Sequence, residues 1–268
     1  MGTQVPKGPR GRRPIIGLIG AGAISNHILR AARREGFAEI AYLAARNPER
    51  VPAANDTKVL PLTSDLTRID LDLVVEAASA EVVRALAAQV VRTSSLLVFS
   101  LTAFADDELY GTVVEACRQN DTCVYIPHGA ILGLDGIYDG REVLDDVHIS
   151  TIKHPSSLGL PAEAAGQQYD GSTRGACRMF ARNVNVHAAV ALCGVGFDNT
   201  RSTVIADPAA TCMRHEITAK GDGLDWRISI RSPSAQGAVS GSYTPVSAAA
   251  TVRRALSRVS REGGIVIA

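Results

Sequence analysis

Residues 15–25 carry the sequence Ile-Ile-Gly-Leu-Ile-Gly-Ala-Gly-Ala-Ile-Ser, which holds the most informative pattern in the chain. Ile15 to Ile19 is a short apolar run, typical of a strand that is buried on both faces. Ile24 to Arg34 follows with apolar residues at helical spacing. A glycine-rich turn that directly joins a strand to a helix is the setting that a dinucleotide-binding loop requires.

Each small residue of this turn has a separate predicted role. Gly20 permits the tight turn, and Gly22 allows the backbone to approach a pyrophosphate closely. The exposed amides at the start of the helix, at Ala23 and Ile24, then hold the anion. Ser25 stands where the usual pattern has a third glycine, and it is still small enough for close packing of the helix on the strand. The alternative is a glycine-rich turn that binds no ligand.

The alternation of short apolar runs and helical stretches continues through residue 126. It predicts further strands at Glu39 to Ala44, Leu71 to Glu76, Leu96 to Ser100 and Cys123 to Ile126, and helices at Ala80 to Val91 and Asp106 to Arg118. This rhythm favours an α/β fold, with a Rossmann-type doubly wound parallel sheet over residues 14–127. Residues 1–13 are basic and rich in Gly and Pro, and we expect them to form a flexible tail.

After Pro127 the pattern changes. Strands are predicted at Val147 to Lys153, Ser202 to Ala206, His215 to Lys220 and Asp225 to Arg231, with helices at Ser172 to Phe180 and Asn185 to Cys193. Strands with few intervening helices indicate a second, α+β domain over residues 128–245, with a mostly antiparallel sheet. The last two strands are expected to pair across residues 221–223. A final helix from Val246 is predicted, and residues 246–268 are expected to pack back on the first domain.

Composition excludes several classes of protein. The 268 residues are 46% apolar and 21% charged, which is ordinary globular composition. The net charge is +1 and aromatic residues make up only 4%, so a nucleic-acid surface is not expected. No segment approaches the roughly 18 uninterrupted apolar residues of a membrane helix. The five cysteines form no CxxC or Cys/His cluster, which predicts reduced thiols, no metal site and a cytoplasmic protein.

The choice between NAD and NADP is predicted from the absence of an acidic residue at the end of the second strand. In an NAD-preferring protein, a carboxylate about 20 residues after the glycine loop accepts from the ribose hydroxyls. Here the strand ends in Ala44-Ala45-Arg46-Asn47. Arg46 could pair with a 2′-phosphate, which favours NADP over NAD. The alternative is that Arg46 is a solvated loop residue.

Histidines are the candidates for proton transfer because imidazole titrates near neutral pH. His128 follows the last strand of the first domain, at the carboxyl end where sites in such sheets form. His187 lies in a predicted helix close to Asn183 and Asn185. One of these two asparagines could simply cap that helix. His215 opens a predicted strand of the second domain. The residues alone do not decide among the histidines.

The chain resembles L-aspartate dehydrogenases across nearly its whole length. The resemblance is carried by residues 17–24 (GLIGAGAI), 74–78 (VVEAA), 129–135 (GAILGLD), 183–186 (NVNV), 205–208 (IADP) and 215–217 (HEI). It implies that His215 is the acid/base, and that Ala130 and Asn185 contact the nicotinamide. Ala78, in the second of these segments, is a further expected cofactor contact.

The resemblance also implies an activity. We expect oxidative deamination of L-aspartate to iminoaspartate and oxaloacetate with NAD or NADP, or the reverse reductive amination. Arg182, Lys153 and Thr244 are candidate partners for the substrate carboxylates. A homodimer formed through the second domain is also implied.

Three departures from the family pattern keep other interpretations open. His128 stands where the family usually has Ser, His187 where it usually has Ala, and residues 241–245 (GSYTP) replace an Asn-Pro-basic-Thr-Ser stretch. These positions are expected on the substrate side. The alternatives are therefore a reductase of a different imino or keto acid, or a dinucleotide-binding sensor without turnover.

Overall fold

The computed structural model describes residues 12–52, 57–233, 237–238 and 241–260. The predicted tail, residues 1–13, lies outside the described residues except for its last two positions, and so does the end of the carboxyl-terminal segment, residues 261–268. The chain divides into two compact units. Of the described residues, the first unit comprises those up to Phe99, Glu108–Pro127 and those from Ala248 onward, and the second comprises Ser100–Asp107 and those between His128 and Ser247.

The first unit contains a six-stranded parallel sheet flanked by helices. Its strands are β1 (Ile15–Ile19), β2 (Glu39–Ala45), β3 (Val59–Pro61), β4 (Leu73–Glu76), β5 (Leu96–Val98) and β6 (Val124–Tyr125). Its helices include α1 (Ala23–Glu35), α2 (Ala80–Val90) and α3 (Asp107–Asn120). The strand order β3-β2-β1-β4-β5-β6 is that of a Rossmann-type doubly wound sheet, so the predicted fold class is confirmed.

The predicted elements of this unit lie within two residues of the observed ones, because buried parallel strands have a clear sequence pattern. All residues of β4 and β5 are buried, as are four of the five in β1. β3 was not predicted. It is a three-residue edge strand with an exposed proline at its end, so it has neither the length nor the burial that produces an apolar run.

The last helix, α8 (Tyr243–Ser260), begins three residues before its predicted start. Its Ala248, Val252 and Leu256 are buried in the hydrophobic core of the first unit, where Leu18 of β1 and Ile28 of α1 also lie. Apolar residues spaced four apart form one face of a helix, and this is the face that the core buries.

The second unit contains a five-stranded sheet. Its strands are β7 (Leu144–Lys153), β8 (Gly166–Ser172), β9 (Thr200–Ala206), β10 (Cys212–Gly221) and β11 (Leu224–Pro233), and its helices are α4 (Leu134–Gly140), α5 (Pro155–Leu158), α6 (Thr173–Met179) and α7 (Asn185–Cys193). The strand order is β11-β10-β7-β9-β8. Every neighbouring pair is antiparallel except β7 and β9, which are parallel, so the predicted mostly antiparallel sheet is confirmed.

The hairpin predicted between the last two strands is also confirmed. Gly221 pairs with Leu224, which leaves Asp222 and Gly223 as a two-residue loop. Gly223 has a φ of +70°, a conformation that such hairpin loops require and that glycine adopts without strain. Within the described ranges, none of the helices has the length and apolar character needed to cross a membrane.

Candidate active site

Gly20 closes the turn between β1 and α1 in a conformation that only glycine accepts easily. Its φ is +103°, and a Cβ at this position would lie 2.5 Å from the carbonyl oxygen of Ala77. Its amide donates to the carbonyl of Ala44 at the end of β2, at 2.8 Å. The turn is therefore held by the backbone of two neighbouring strands, and a side chain at residue 20 would push one of them away.

Gly22 is different, because the space beside it is open. It is the N-cap of α1, and a Cβ built there meets no atom within 4 Å. Gly22 has no side chain that could cap the helix, and no acidic residue lies in its first turn, so neither supplies an oxygen to the amides at its start, Ala23 among them. Nearby, the buried Ser25 hydroxyl has no hydrogen-bond partner within the described residues. An uncapped helix start beside an open cradle fits a dinucleotide pyrophosphate.

Two other predicted cofactor contacts lie in the first unit. Arg46 directly follows β2 and is exposed, so its guanidinium is accessible to a ligand. The amide of Ala78 already donates to Oε1 of Glu76, at 2.7 Å. Glu76 is a buried carboxylate at the carboxyl end of β4, and its bond to Ala78 defines the backbone next to Gly20.

His215 lies on β10 and is almost completely buried, with 2% of its surface exposed. Its Nδ1 lies 2.8 Å from the Thr151 hydroxyl on β7. Burial, and to a smaller extent the positive charge of Lys153, lowers the pKa of His215 to about 3. The imidazole is therefore neutral at physiological pH, which is the state that accepts a proton.

Lys153 ends β7 and is equally buried. Its Nζ donates to the carbonyl oxygen of Asn183 at 3.2 Å, and burial lowers its pKa to about 8. The side-chain oxygen of Asn183 is buried and accepts no hydrogen bond within the described part of the chain. A buried ammonium near a neutral imidazole is suited to hold an anionic substrate beside a base.

The sequence did not predict what His187 contacts. It lies on α7 and is completely buried. Its Nε2 lies 2.7 Å from the Thr151 hydroxyl, and its Nδ1 lies 2.9 Å from the Ser202 hydroxyl. Burial first, and then the nearby His215 and Lys153, lowers its pKa well below the usual value. The second unit thus brings His187 and His215 within hydrogen-bond distance of the same threonine hydroxyl, that of Thr151.

The structure also locates the two predicted nicotinamide contacts of the second unit. Ala130 is buried, and the side-chain oxygen of Asn185 accepts from the amide of Thr102 at 3.2 Å. The interpretation of Asn183 or Asn185 as a helix cap is wrong, because the N-cap of α7 is Val184 and no side chain caps it. The Asn185 side chain instead positions the backbone at Thr102.

Three other histidines of the second unit lie outside this cluster of buried side chains. His148 lies on the other face of β7 from Thr151, with its Nε2 2.8 Å from the Thr203 hydroxyl. His154 caps the short helix α5. The carbonyl of His128 accepts from the amide of Ile131 at 3.1 Å in the turn before α4.

Sequence reasoning missed the buried hydroxyls that contact the histidines, chiefly Thr151 and Ser202. The signal that could have found them is a polar residue at an inward position of a predicted strand. Along β7, Val147, Ile149, Thr151 and Lys153 share the buried face. Buried polar groups need partners, so Thr151 on that face predicts a polar neighbour from another element.

The sequence is similar to known dehydrogenases over both units. Residues 137–255 match the family model described as aspartate dehydrogenase, C-terminal, and residues 19–127 match that of the homoserine dehydrogenase NAD-binding domain. An L-aspartate dehydrogenase from Methanosarcina barkeri is 31% identical over 273 residues, which cover 91% of this chain and 97% of the relative. The chain belongs to the L-aspartate dehydrogenase family. L-Aspartate dehydrogenase 1 from Bordetella pertussis is 32% identical, over 82% of this chain and 90% of the relative.

A solved structure agrees with this family assignment. The crystal structure of aspartate dehydrogenase from Thermotoga maritima superposes with a TM-score of 0.76 at 26% sequence identity. The match covers 95% of this chain and 99% of that one, so both units of this aspartate dehydrogenase family member have counterparts in it.

Proposed function

We propose that this protein is an NAD(P)-dependent oxidoreductase of the CH–NH2 group that converts L-aspartate, through iminoaspartate, to oxaloacetate and ammonia, or runs the reverse reductive amination. The observation that carries the proposal is a neutral, buried His215 beside the buried cation Lys153, in a chain of the L-aspartate dehydrogenase family. This pair supplies a base and a partner for a substrate carboxylate. Gly20, Gly22 and the amides of Ala23 and Ile24 are the proposed pyrophosphate site.

His215 is the proposed acid/base. The nicotinamide, when bound, supplies the hydride acceptor for the hydrogen on the α-carbon. The substrate ammonium group first releases a proton to solvent, and the C=N bond of an iminium forms as the hydride leaves the α-carbon. Water then adds to that carbon while His215 accepts its proton, which gives a neutral carbinolamine and an imidazolium. The imidazolium returns the proton to nitrogen, and as the C–N bond breaks the hydroxyl proton passes to His215 and the C=O bond forms, so that ammonia and oxaloacetate leave. His215 then releases this last proton to solvent and is neutral again.

Lys153 is the proposed partner of a substrate carboxylate. It is a buried cation, and after burial its charge is the second cause that lowers the pKa of His215. A bound carboxylate would neutralise that charge and remove this smaller cause, so the pKa of His215 would rise and the imidazole would become a stronger base. Thr244 is a second candidate, since its buried hydroxyl has no hydrogen-bond partner in the described residues. Arg182 is exposed, so it is the weakest of the three.

Within the nicotinamide cofactors, we propose a preference for NADP. The support is an exposed Arg46 at the end of β2, at the position where NAD-preferring proteins carry an acid. Arg46→Ala should raise the Kd for NADPH about tenfold or more and change the Kd for NADH little. Equal effects on both cofactors would contradict this role. Ala78, Ala130 and Asn185 remain proposed cofactor contacts.

The direct test of the activity mixes purified protein with oxaloacetate, ammonium and either NADH or NADPH, and follows the absorbance of the reduced nicotinamide. Ammonium-dependent consumption is the expected result. His215→Ala should bind the cofactor normally and lose turnover. Full turnover by that variant would show that another group is the base.

Two other functions have specific support from residues that depart from the family pattern, His187 among them. Cofactor consumption with another keto acid and amine, but not with oxaloacetate and ammonium, would indicate a reductase of a different imino acid. Cofactor binding without consumption for any substrate pair would indicate a dinucleotide-binding sensor. The buried neutral His215 favours an enzyme, because a sensor has no need of a base.

We also propose a cytoplasmic homodimer that assembles through the second unit. The resemblance to L-aspartate dehydrogenases implies the dimer, and light scattering of the purified protein tests it. The cytoplasmic location is supported by the cysteines, all five of which are free.

A further inference from the structure

Five buried side chains of the second unit form one continuous series of hydrogen bonds. We call this series the relay; its members, in order, are His215, Thr151, His187, Ser202 and Thr173. The bonded atoms lie 2.7 to 2.9 Å apart at every link. The relay ends on the backbone, where the Thr173 hydroxyl donates to the carbonyl oxygen of Thr200 at 3.0 Å.

Strand register explains why these residues meet. His215 on β10 pairs directly with Thr151 on β7. Ser202 on β9 pairs with the residue two positions before Thr151, so both hydroxyls lie on the same face of the sheet. His187 from α7 reaches this face between them, and Thr173 is the first residue of α6. Every member is buried, so no member depends on solvent for its hydrogen bonds.

The bond from Thr173 to the backbone determines which atom is the donor in each other hydrogen bond of the relay. A carbonyl oxygen can only accept, so the Thr173 hydroxyl uses its single proton on the carbonyl of Thr200. In the bond between Thr173 and Ser202, the donor must therefore be Ser202. The Ser202 proton is then used as well, and the bond between Ser202 and His187 requires that His187 Nδ1 is the donor.

Because His187 is neutral, the donor and the acceptor can also be assigned in the bonds between His187, Thr151 and His215. Burial and the positive charge of Lys153 oppose a second proton on this ring and hold its pKa well below the usual value. With its one proton on Nδ1, His187 can only accept at Nε2, so the Thr151 hydroxyl donates to it. The oxygen of Thr151 must then accept from Nδ1 of His215.

We propose that the relay fixes His215 as the tautomer with its proton on Nδ1, and so leaves the lone pair on Nε2 as the proton acceptor. Thr151, His187, Ser202 and Thr173 are positioning residues that act through His215. A neutral imidazole can otherwise carry its proton on either nitrogen, and the wrong tautomer presents an N–H where the reaction needs a base. The catalytic consequence rests on the proposed function, whereas the tautomer does not.

The test is nitrogen-15 NMR of the full-length protein labelled in its histidines, with the His215 signals assigned through His215→Gln. In the wild type, we expect a protonated Nδ1 and an unprotonated Nε2 at neutral pH. Thr151→Val removes both hydroxyl bonds at nearly constant volume, and Ser202→Ala cuts the relay farther from His215. Each variant should shift His215 towards the Nε2-protonated form. Turnover should fall about tenfold to a hundredfold, with an unchanged Kd for the dinucleotide.

Two variants serve as controls. Thr151→Ser keeps the hydroxyl and should restore the tautomer and the turnover. Thr203→Ala removes a hydroxyl next to Ser202 that bonds to His148, outside the relay, and should leave the His215 tautomer unchanged. Since the wild-type measurement and Ser202→Ala stand apart from Thr151→Val, a folding defect in one variant does not remove the test.

The outcomes separate the relay from the proposed function. A wild-type His215 protonated on Nε2 would overturn the relay, and so would an Nδ1-protonated His215 that stays unchanged in both Thr151→Val and Ser202→Ala. If the tautomer responds as expected but no substrate is turned over, the relay stands and the proposed activity fails.

Discussion

Replacing Gly22 with alanine separates the cofactor-binding role of the glycine loop from its structural role. The φ of Gly22 is −79°, which alanine adopts without strain, and the added methyl group meets no protein atom within 4 Å. The neighbouring Gly20 offers no such separation. Its φ of +103° and the close carbonyl of Ala77 would disturb the fold in any variant.

The expected changes in stability and in dinucleotide affinity can be estimated from these contacts. A glycine replaced by alanine in a compatible conformation stabilises a protein by about 0.4–1 kcal/mol, through the unfolded state. The weaker preference for alanine at a helix N-cap opposes this gain by a similar amount. The free energy of unfolding of Gly22→Ala should therefore stay within about 1 kcal/mol of the wild type. The methyl group occupies the space proposed for the pyrophosphate, so the dinucleotide Kd should rise at least about tenfold, or roughly 1.4 kcal/mol.

The assay combines urea unfolding with calorimetric titration of NADPH and NADH. The matched control is Gly111→Ala on the exposed side of α3, where the added methyl group also meets no atom within 4 Å. It should stabilise the helix by up to about 1 kcal/mol and leave binding unchanged. If Gly22→Ala binds both dinucleotides with the wild-type Kd, the loop is a turn without a ligand role.

Three further predictions concern stability, each measured by urea unfolding. As pH falls below 6.5, the free energy of unfolding should fall by about 1.4 kcal/mol per pH unit for each of His187 and His215. The reason is that the unfolded chain binds a proton at each histidine, whereas burial keeps both neutral in the folded protein. For His215 this fall continues to about pH 3. His215→Gln should reduce that slope, and an unchanged slope would contradict the assigned cause. Arg174→Gln loses two hydrogen bonds to the exposed Asp198, of 2.7 and 2.8 Å, and one of 3.0 Å to the exposed Asp107. Because the Arg174 side chain itself is only 17% exposed, the loss should cost about 1–3 kcal/mol, more than an isolated surface pair. A loss below about 0.5 kcal/mol would show that solvent screens these bonds fully. Leu97→Ala empties a fully buried position in β5 and should cost about 3–5 kcal/mol, whereas a loss below about 1 kcal/mol would show that the sheet closes around the gap.

The first unit could be predicted closely because its signals are local. The run Ile15–Ile19, the glycines that follow it and the apolar spacing of α1 lie within about twenty consecutive residues. Parallel strands that helices cover on both faces must be apolar throughout, and such runs are visible without any knowledge of the neighbouring strands. The hairpin of β10 and β11 was predictable for a similar reason, because the two strands are consecutive and only a two-residue, glycine-containing turn separates them.

The edge strand β8 shows where such reasoning fails. Its sequence, Gly-Gln-Gln-Tyr-Asp-Gly-Ser, has no apolar alternation, and its residues are exposed or half-buried. It is a strand because its backbone pairs with β9. Pairing of this kind depends on a partner 29 to 40 positions away, so a short sequence window does not reveal it.

The sequence by itself determined the fold class, the glycine loop at Gly20 and Gly22 and, through resemblance, the importance of His215. Only the tertiary structure decided what surrounds that histidine. Thr151 and His187 are 64 and 28 positions from it in the chain, and they reach it through sheet register and the packing of α7. Hydroxyls and imidazoles are common residue types whose chemistry depends on which groups they are buried against. The protonation state and orientation of His215 are therefore properties of the folded sheet.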